Sequence, residues 1–118
     1  MIMSKSLAAD ALLTAVDGGH VAVFGESMDE AKKVFAQLLW DYPEMSVVAE
    51  RIDAIGRISL TFPGGGTLTF LSLKSNPDRL RGWSLDRCYV PIGTSPEFVS
   101  MHLRPCLATS KDGTMAGY

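Results

Sequence analysis

The sequence predicts an α/β domain: a layered sheet with flanking helices, mostly parallel, carrying an antiparallel hairpin extension. Three observations lead there. Apolar residues recur at helical spacing in two early segments separated by a short apolar run, the alternation that builds βαβ units. That run, Val21-Ala22-Val23-Phe24, is continuous and bounded by glycines, as suits a strand covered on both faces. Two period-two runs between Ile58 and Ser72 are joined by Pro63-Gly64-Gly65-Gly66, whose glycines supply the positive φ angles a tight reversal needs.

Each element has its own signal. Leu7, Ala8, Ala11, Leu12, Ala15 and Val16 form a short amphipathic helix, with Ser4 or Ser6 as cap and Gly18-Gly19 as its end. Ser27-Met28-Asp29-Glu30 is a capping box, in which a hydroxyl and a carboxylate each satisfy an orphan amide at the helix start. Behind it Ala31, Val34, Phe35, Leu38 and Leu39 make one apolar stripe, and Pro43 limits its continuation. From Ser46 the period changes to two: first Val47 and Val48, then Ile58, Leu60 and Phe62 against Ser59 and Thr61. Leu68, Phe70 and Ser72 then alternate with Thr67, Thr69 and Leu71. Lys74 to Asp86 reads as a surface loop and Arg87 to Ile92 as a strand. Pro96 opens a helix capped by Thr94 or Ser95, with Phe98, Val99, Met101 and Leu103 on its apolar side. Thr114-Met115-Ala116 is a final short strand after a turn.

One domain accounts for residues 1–118, since 118 residues at 47% hydrophobic content close a single core. A formal net charge of -2 gives no global field for nucleic acid or an anionic membrane, so any such contact is local. Cys88 and Cys106 have no CxxC or Cys/His neighbour, which predicts buried free thiols and no metal site. With no apolar run long enough to span a bilayer and no signal peptide, a cytoplasmic protein without membrane contact is expected.

Few residues offer chemistry. His20 and His102 stand apart from any nucleophile or acid at catalytic spacing and are expected to be structural; Asp10, Asp17 and Asp29 suit helix or strand ends. No catalytic residue is assigned. Gly64-Gly65-Gly66 can form an anion nest, but the flanking alternation favours a hairpin. Lys74, Arg79, Arg81, Trp83 and Arg87 form the one basic and aromatic concentration in the chain. Guanidinium pairs bidentately with phosphate and indole stacks on bases, which makes them candidates for nucleic-acid binding. The plainer alternative is a surface loop whose arginines pair with Asp78 and Asp86.

Taken in order, these segments resemble the ATPase core of phage terminase large subunits, a P-loop NTPase fold, met at its phosphate-binding loop. Ser4-Lys5-Ser6 and Leu7 to Leu13 look like the end of a Walker A motif and its helix. Gly19 to Gly25 and the helix capped by Ser27 look like the second strand and helix. Leu80-Arg81-Gly82-Trp83-Ser84-Leu85-Asp86-Arg87-Cys88-Tyr89-Val90 is similar to the Arg-Gly turn that leads into the Walker B strand. Two departures stand out. Only Met1 to Ser4 precede Lys5-Ser6, without the loop glycines, and Pro91-Ile92-Gly93 occupy the place of the acidic pair.

The resemblance therefore implies a truncated, degenerate relative that does not hydrolyse ATP by itself, because loop amides orient the triphosphate and carboxylates handle Mg²⁺ and water. No cofactor is expected. Lys5 and Ser6 are the vestigial nucleotide-binding candidates. The expected partners are DNA through the basic loop, or protein, including a second copy, through an uncovered sheet edge, in the host cytoplasm if the chain is phage-encoded. The alternatives are a nucleotide-binding subunit completed by another chain and a self-assembling structural or regulatory protein.

Overall fold

The computed structural model describes residues 3–54, 56–74, 80, 83–108 and 113–118. In chain order the elements are α1 (Lys5–Val16), β1 (His20–Gly25), α2 (Met28–Asp41), a helical turn α3 (Met45–Val48), β2 (Glu50–Ala54), β3 (Arg57–Thr61), β4 (Thr67–Ser72) and β5 (Arg87–Val90). A helix broken in the middle follows: α4 (Pro96–Phe98), a wide π turn over Val99–Leu103 and α5 (Arg104–Ala108). β6 (Thr114–Gly117) ends the series.

The six strands lie in the order β2-β3-β4-β1-β5-β6. β4, β1, β5 and β6 run parallel, while β3 is antiparallel to both β2 and β4. The parallel group with its antiparallel extension is the architecture the sequence predicts. The first two caps behave as expected: the Leu7 amide donates to Ser4 Oγ at 3.3 Å, and the Glu30 amide donates to Ser27 Oγ at 3.3 Å, whereas Ser95, before α4, makes no side-chain cap bond.

Strand alternation sorts the core into two layers. Val21, Val23, Leu68, Phe70 and Tyr89 face α1 and α2. Ala22, Phe24, Leu71, Cys88 and Val90 face the opposite way, against Leu80, Leu85, Val99, Leu103 and Cys106. The broken helix thus covers the face that α1 and α2 leave open, giving an α/β/α sandwich over the parallel strands.

Several expectations are corrected. Val47 and Val48 are exposed residues of a helical turn, not the start of a strand. The strand there is β2, every residue of which is exposed; it is held by its ladder to β3 and carries no apolar face that sequence alternation could reveal. The segment after Lys74 is more than a surface loop, because Leu80 and Leu85 are buried in the second layer. β5 stops at Val90, where Gly93 (φ +97°) turns the chain and the Thr94 amide and hydroxyl both donate to the Pro91 carbonyl. Met101 is exposed, because the Arg104 amide reaches back five residues to the Val99 carbonyl and the widened turn rotates Met101 off the apolar side. Pro105, which has no N–H to offer the Met101 carbonyl, accounts for the widening.

Both cysteines are free and buried. Burial, with a smaller contribution from Cys106, pushes the Cys88 thiol up to about 12. Burial, then Glu30 and Glu26, pushes the Tyr118 phenol up to about 12; its hydroxyl donates to the Phe24 carbonyl. Both groups are neutral acids whose folded values exceed their ordinary 9.0 and 10.0, so their contribution to stability is fully present at neutral pH and lost as pH climbs. Denaturant midpoints are therefore expected to stay level from pH 7 to about 9 and fall between about 9 and 12. A thiol reagent at pH 8 should find neither cysteine until the protein unfolds.

Candidate nucleic-acid interface

Two regions bear on the described residues singled out from the sequence. The first is the edge of the sheet where the parallel strands end. α1 packs antiparallel to them: its last turn meets the beginnings of β1 and β4, where the Gly19 amide donates to Thr14 and the Thr67 amide to the Gly19 carbonyl. Its middle is tied to β5 by Asp10, which accepts from the Tyr89 hydroxyl and lies 3.5 Å from Arg87 Nε. A 12-residue helix spans about 18 Å, so the first turn, with Lys5 and Ser6 exposed, stands at the edge where β1 and β5 end. The amino end of α2, capped by Ser27, opens on the same side. Two helix amino termini therefore direct their dipoles toward this edge. β5 delivers Val90, Pro91, Ile92 and Gly93 there, without a carboxylate. Among the described residues no group of three His, Cys, Asp or Glu side chains could hold a metal ion.

The second region lies on the other face of the sheet, where α4 and α5 do not reach the antiparallel extension. There Arg57, Ser59 and Thr61 of β3 and Thr67 and Thr69 of β4 floor a groove of about 410 Å³ walled by Trp83 and Ser84. The Arg57 guanidinium carbon sits 5.7 Å from the centre of the Trp83 ring. This cation–π contact holds a planar cation against the indole, with its N–H edge left to other acceptors. Ser59 and Thr69 hydroxyls are 3.1 Å apart, and His20 Nδ1 is 2.9 Å from Thr67 Oγ1. Asp86 Oδ2 accepts from the His20 amide at 2.8 Å, which closes the far end of the Trp83 segment onto β1.

The structure separates the basic residues that the sequence clusters. Lys74 is exposed just past β4, its amide donating to Ser72 Oγ at 2.9 Å. Trp83 is half-buried on the groove side. Arg87 goes the other way: sharing strand parity with Tyr89, it points to the α1 face, pairs with Asp10 and donates to the Asp86 carbonyl at 3.1 Å. Trp83 and Arg87 therefore do not act on one surface. Arg79 and Arg81 lie outside the described residues. Arg57 is the cation that sequence reading missed, and His20, taken as structural, stands at the groove. The glycine triplet makes the expected reversal: Gly65 has φ +89°, and its amide donates to the Phe62 carbonyl. Asp10, expected at a helix end, sits mid-helix as the acceptor for Tyr89.

No protein-family model and no curated protein matches the sequence. Solved structures do. The large terminase ATPase domain of Thermus phage P74-26 superposes with a TM-score of 0.63 at 21% identity, over 94% of this chain and 52% of that one. The large terminase of another phage, described as a thermophilic bacteriophage and solved in complex with ADP, superposes with a TM-score of 0.62 at 19% identity, over 92% of this chain and 28% of that one. The chain thus spans about half the length of the first and less than a third of the second. No described helix is long and apolar enough to cross a membrane. On these superpositions the chain has a terminase ATPase-like fold.

Proposed function

We propose that this chain is a terminase-like, phage-type module that binds DNA through the segment from Lys74 to Trp83 and does not hydrolyse ATP by itself. The observation that carries the reading is the Arg57–Trp83 contact, which pairs a guanidinium with the aromatic ring that follows Arg79 and Arg81 in the sequence. On an acidic chain, a sequence stretch that concentrates Lys74, Arg79, Arg81 and Trp83 supports a local contact with a polyanion. The end of β5 supports the second half. A turn of Pro91, Ile92 and Gly93, with the Pro91 carbonyl already engaged by Thr94, offers no carboxylate for Mg²⁺ or for orienting water.

Fluorescence anisotropy with a labelled duplex at two salt concentrations tests this. Binding is expected at low salt, weakening steeply as salt rises, and falling about tenfold in the double variant Arg79→Ala, Arg81→Ala. Affinity that is absent, or unchanged in the double variant, removes the DNA reading. Steady phosphate release from ATP by the purified chain alone removes the non-hydrolysing one. A second reading rests on Lys5 and Ser6 in the first turn of α1: a nucleotide subunit completed by another chain. Calorimetric titration with ATP and Mg²⁺ that shows heat in the native chain and none in Lys5→Ala would favour it.

A further inference from the structure

From the groove floored by β3 and β4, we infer that the DNA this module takes is single-stranded, with one backbone phosphate on Arg57 and the sugar and base laid along the hydroxyl row toward Thr67. The inference rests on the DNA reading above and goes beyond it, because the basic segment alone would accept a duplex.

Size comes first. A volume of about 410 Å³ is that of a small-ligand site and admits a nucleotide unit, whereas a paired duplex cannot lower both strands between the Trp83 wall and the sheet. Charge gives the direction. Arg57 is exposed at the end of β3 next to Trp83, and the stacked ring keeps its planar donor edge in place for bidentate contact to a phosphate. At the opposite end Glu50 stands in register with Thr61 and shares Ile52's face by alternation, and Asp86 is engaged by the His20 amide. The Glu50 carboxylate keeps phosphate away from that end and leaves it to neutral parts of the nucleotide.

The lining chemistry decides selectivity. Ser59, Thr61, Thr67 and Thr69 present hydroxyls, which serve phosphate and sugar oxygens. Among the described lining residues Arg57 is assigned to phosphate, His20 Nδ1 meets Thr67 Oγ1 and the hydroxyls do not distinguish one base from another, so recognition is of backbone and ring face and is tolerant of sequence. Ile52, half-exposed on the outer strand, adds an apolar contact for a base. A merely solvated sheet face would need none of this arrangement: the guanidinium would extend into water instead of lying over an indole.

Trp40 is almost fully exposed, so Trp40→Phe leaves Trp83 as the sole tryptophan with little cost to the fold. Titrating that variant with a twenty-residue oligothymidylate is expected to change Trp83 emission saturably. Arg57→Ala should weaken the binding about tenfold, and Arg57→Lys should recover part of it, with unchanged far-ultraviolet circular dichroism in each. A duplex of the same length is expected to bind more weakly and leave Trp83 emission unaltered. If the duplex binds in an Arg79- and Arg81-dependent way while the oligothymidylate leaves Trp83 silent, or if Arg57→Ala binds as tightly as its parent, the groove inference fails and the DNA reading stands. Equal competition by polyglutamate reduces the site to a general anion contact and also overturns the inference. If neither form of DNA binds, both readings fall together.

Discussion

Phe70→Ala is expected to destabilise the protein by about 3–5 kcal/mol, lowering the melting temperature by about 15 °C. Phe70 is fully buried and occupies the strand where the two halves of the sheet join. It pairs with Val23 of parallel β1 on one side and with Ile58 of antiparallel β3 on the other. Its ring meets Phe35 of α2 edge to face, with centroids 5.2 Å apart, so truncation opens a cavity under the helix that covers the junction. Neighbouring side chains are locked in the same ladder and cannot collapse into the space, which places the cost toward the upper end of the range. A double-mutant cycle with Phe35→Ala should show a coupling of about 1 kcal/mol. Thermal and urea unfolding measure both quantities, and a cost below about 1.5 kcal/mol would mean that this junction is not packed as described.

Gly66→Ala is the second large effect, expected at about 3 kcal/mol for a single added methyl. A Cβ at this buried position would lie 1.8 Å from the Ala15 carbonyl oxygen and 2.9 Å from that of Gly19. Both obstacles are backbone, so relief requires moving the carboxyl end of α1 or the start of β4, and these carry the first hydrogen bonds of the parallel ladder. Gly65→Ala is the control: nothing lies within 4 Å of its added Cβ, and its positive φ alone costs about 1–2 kcal/mol. Equal destabilisation by the two substitutions would remove the steric account of Gly66.

Much of the architecture was legible because local chemistry and global fold agree. The Ser27 hydroxyl starts α2 and Gly18-Gly19 ends α1 as predicted, although the Glu30 carboxylate, expected to complete a capping box, accepts from Lys33 Nζ at 3.3 Å, and the Ile58 to Ser72 alternation sets the faces of β3 and β4 correctly. β2 was hidden because pattern reading needs a buried face and β2 has none. The wide turn at Val99–Leu103 was hidden because one extra residue per turn shifts every later side chain, so a regular spacing put Met101 on the wrong side. The groove was harder to see. Arg57 and Trp83 are far apart in the chain, the hydroxyls look like the ordinary polar half of a half-buried strand, and only the packing of Leu80 and Leu85 draws Trp83 back over β3. Arg87 was recoverable: counting parity from Tyr89 along β5 assigns it to the α1 face.

The mixed sheet also bears on how the chain organises itself from the unfolded state. The β2-β3-β4 meander joins neighbours in sequence, with Arg57 paired to Ala54 and Thr61 to Thr67, so little loop entropy opposes its closure. β1 must instead find Thr67 from His20 and Arg87 from Val21, long crossovers whose ordering cost falls due before their contacts form. The rate of reaching the native state is thus governed by β1, the strand with the most distant partners, and amide protons there are expected to be among the slowest to exchange.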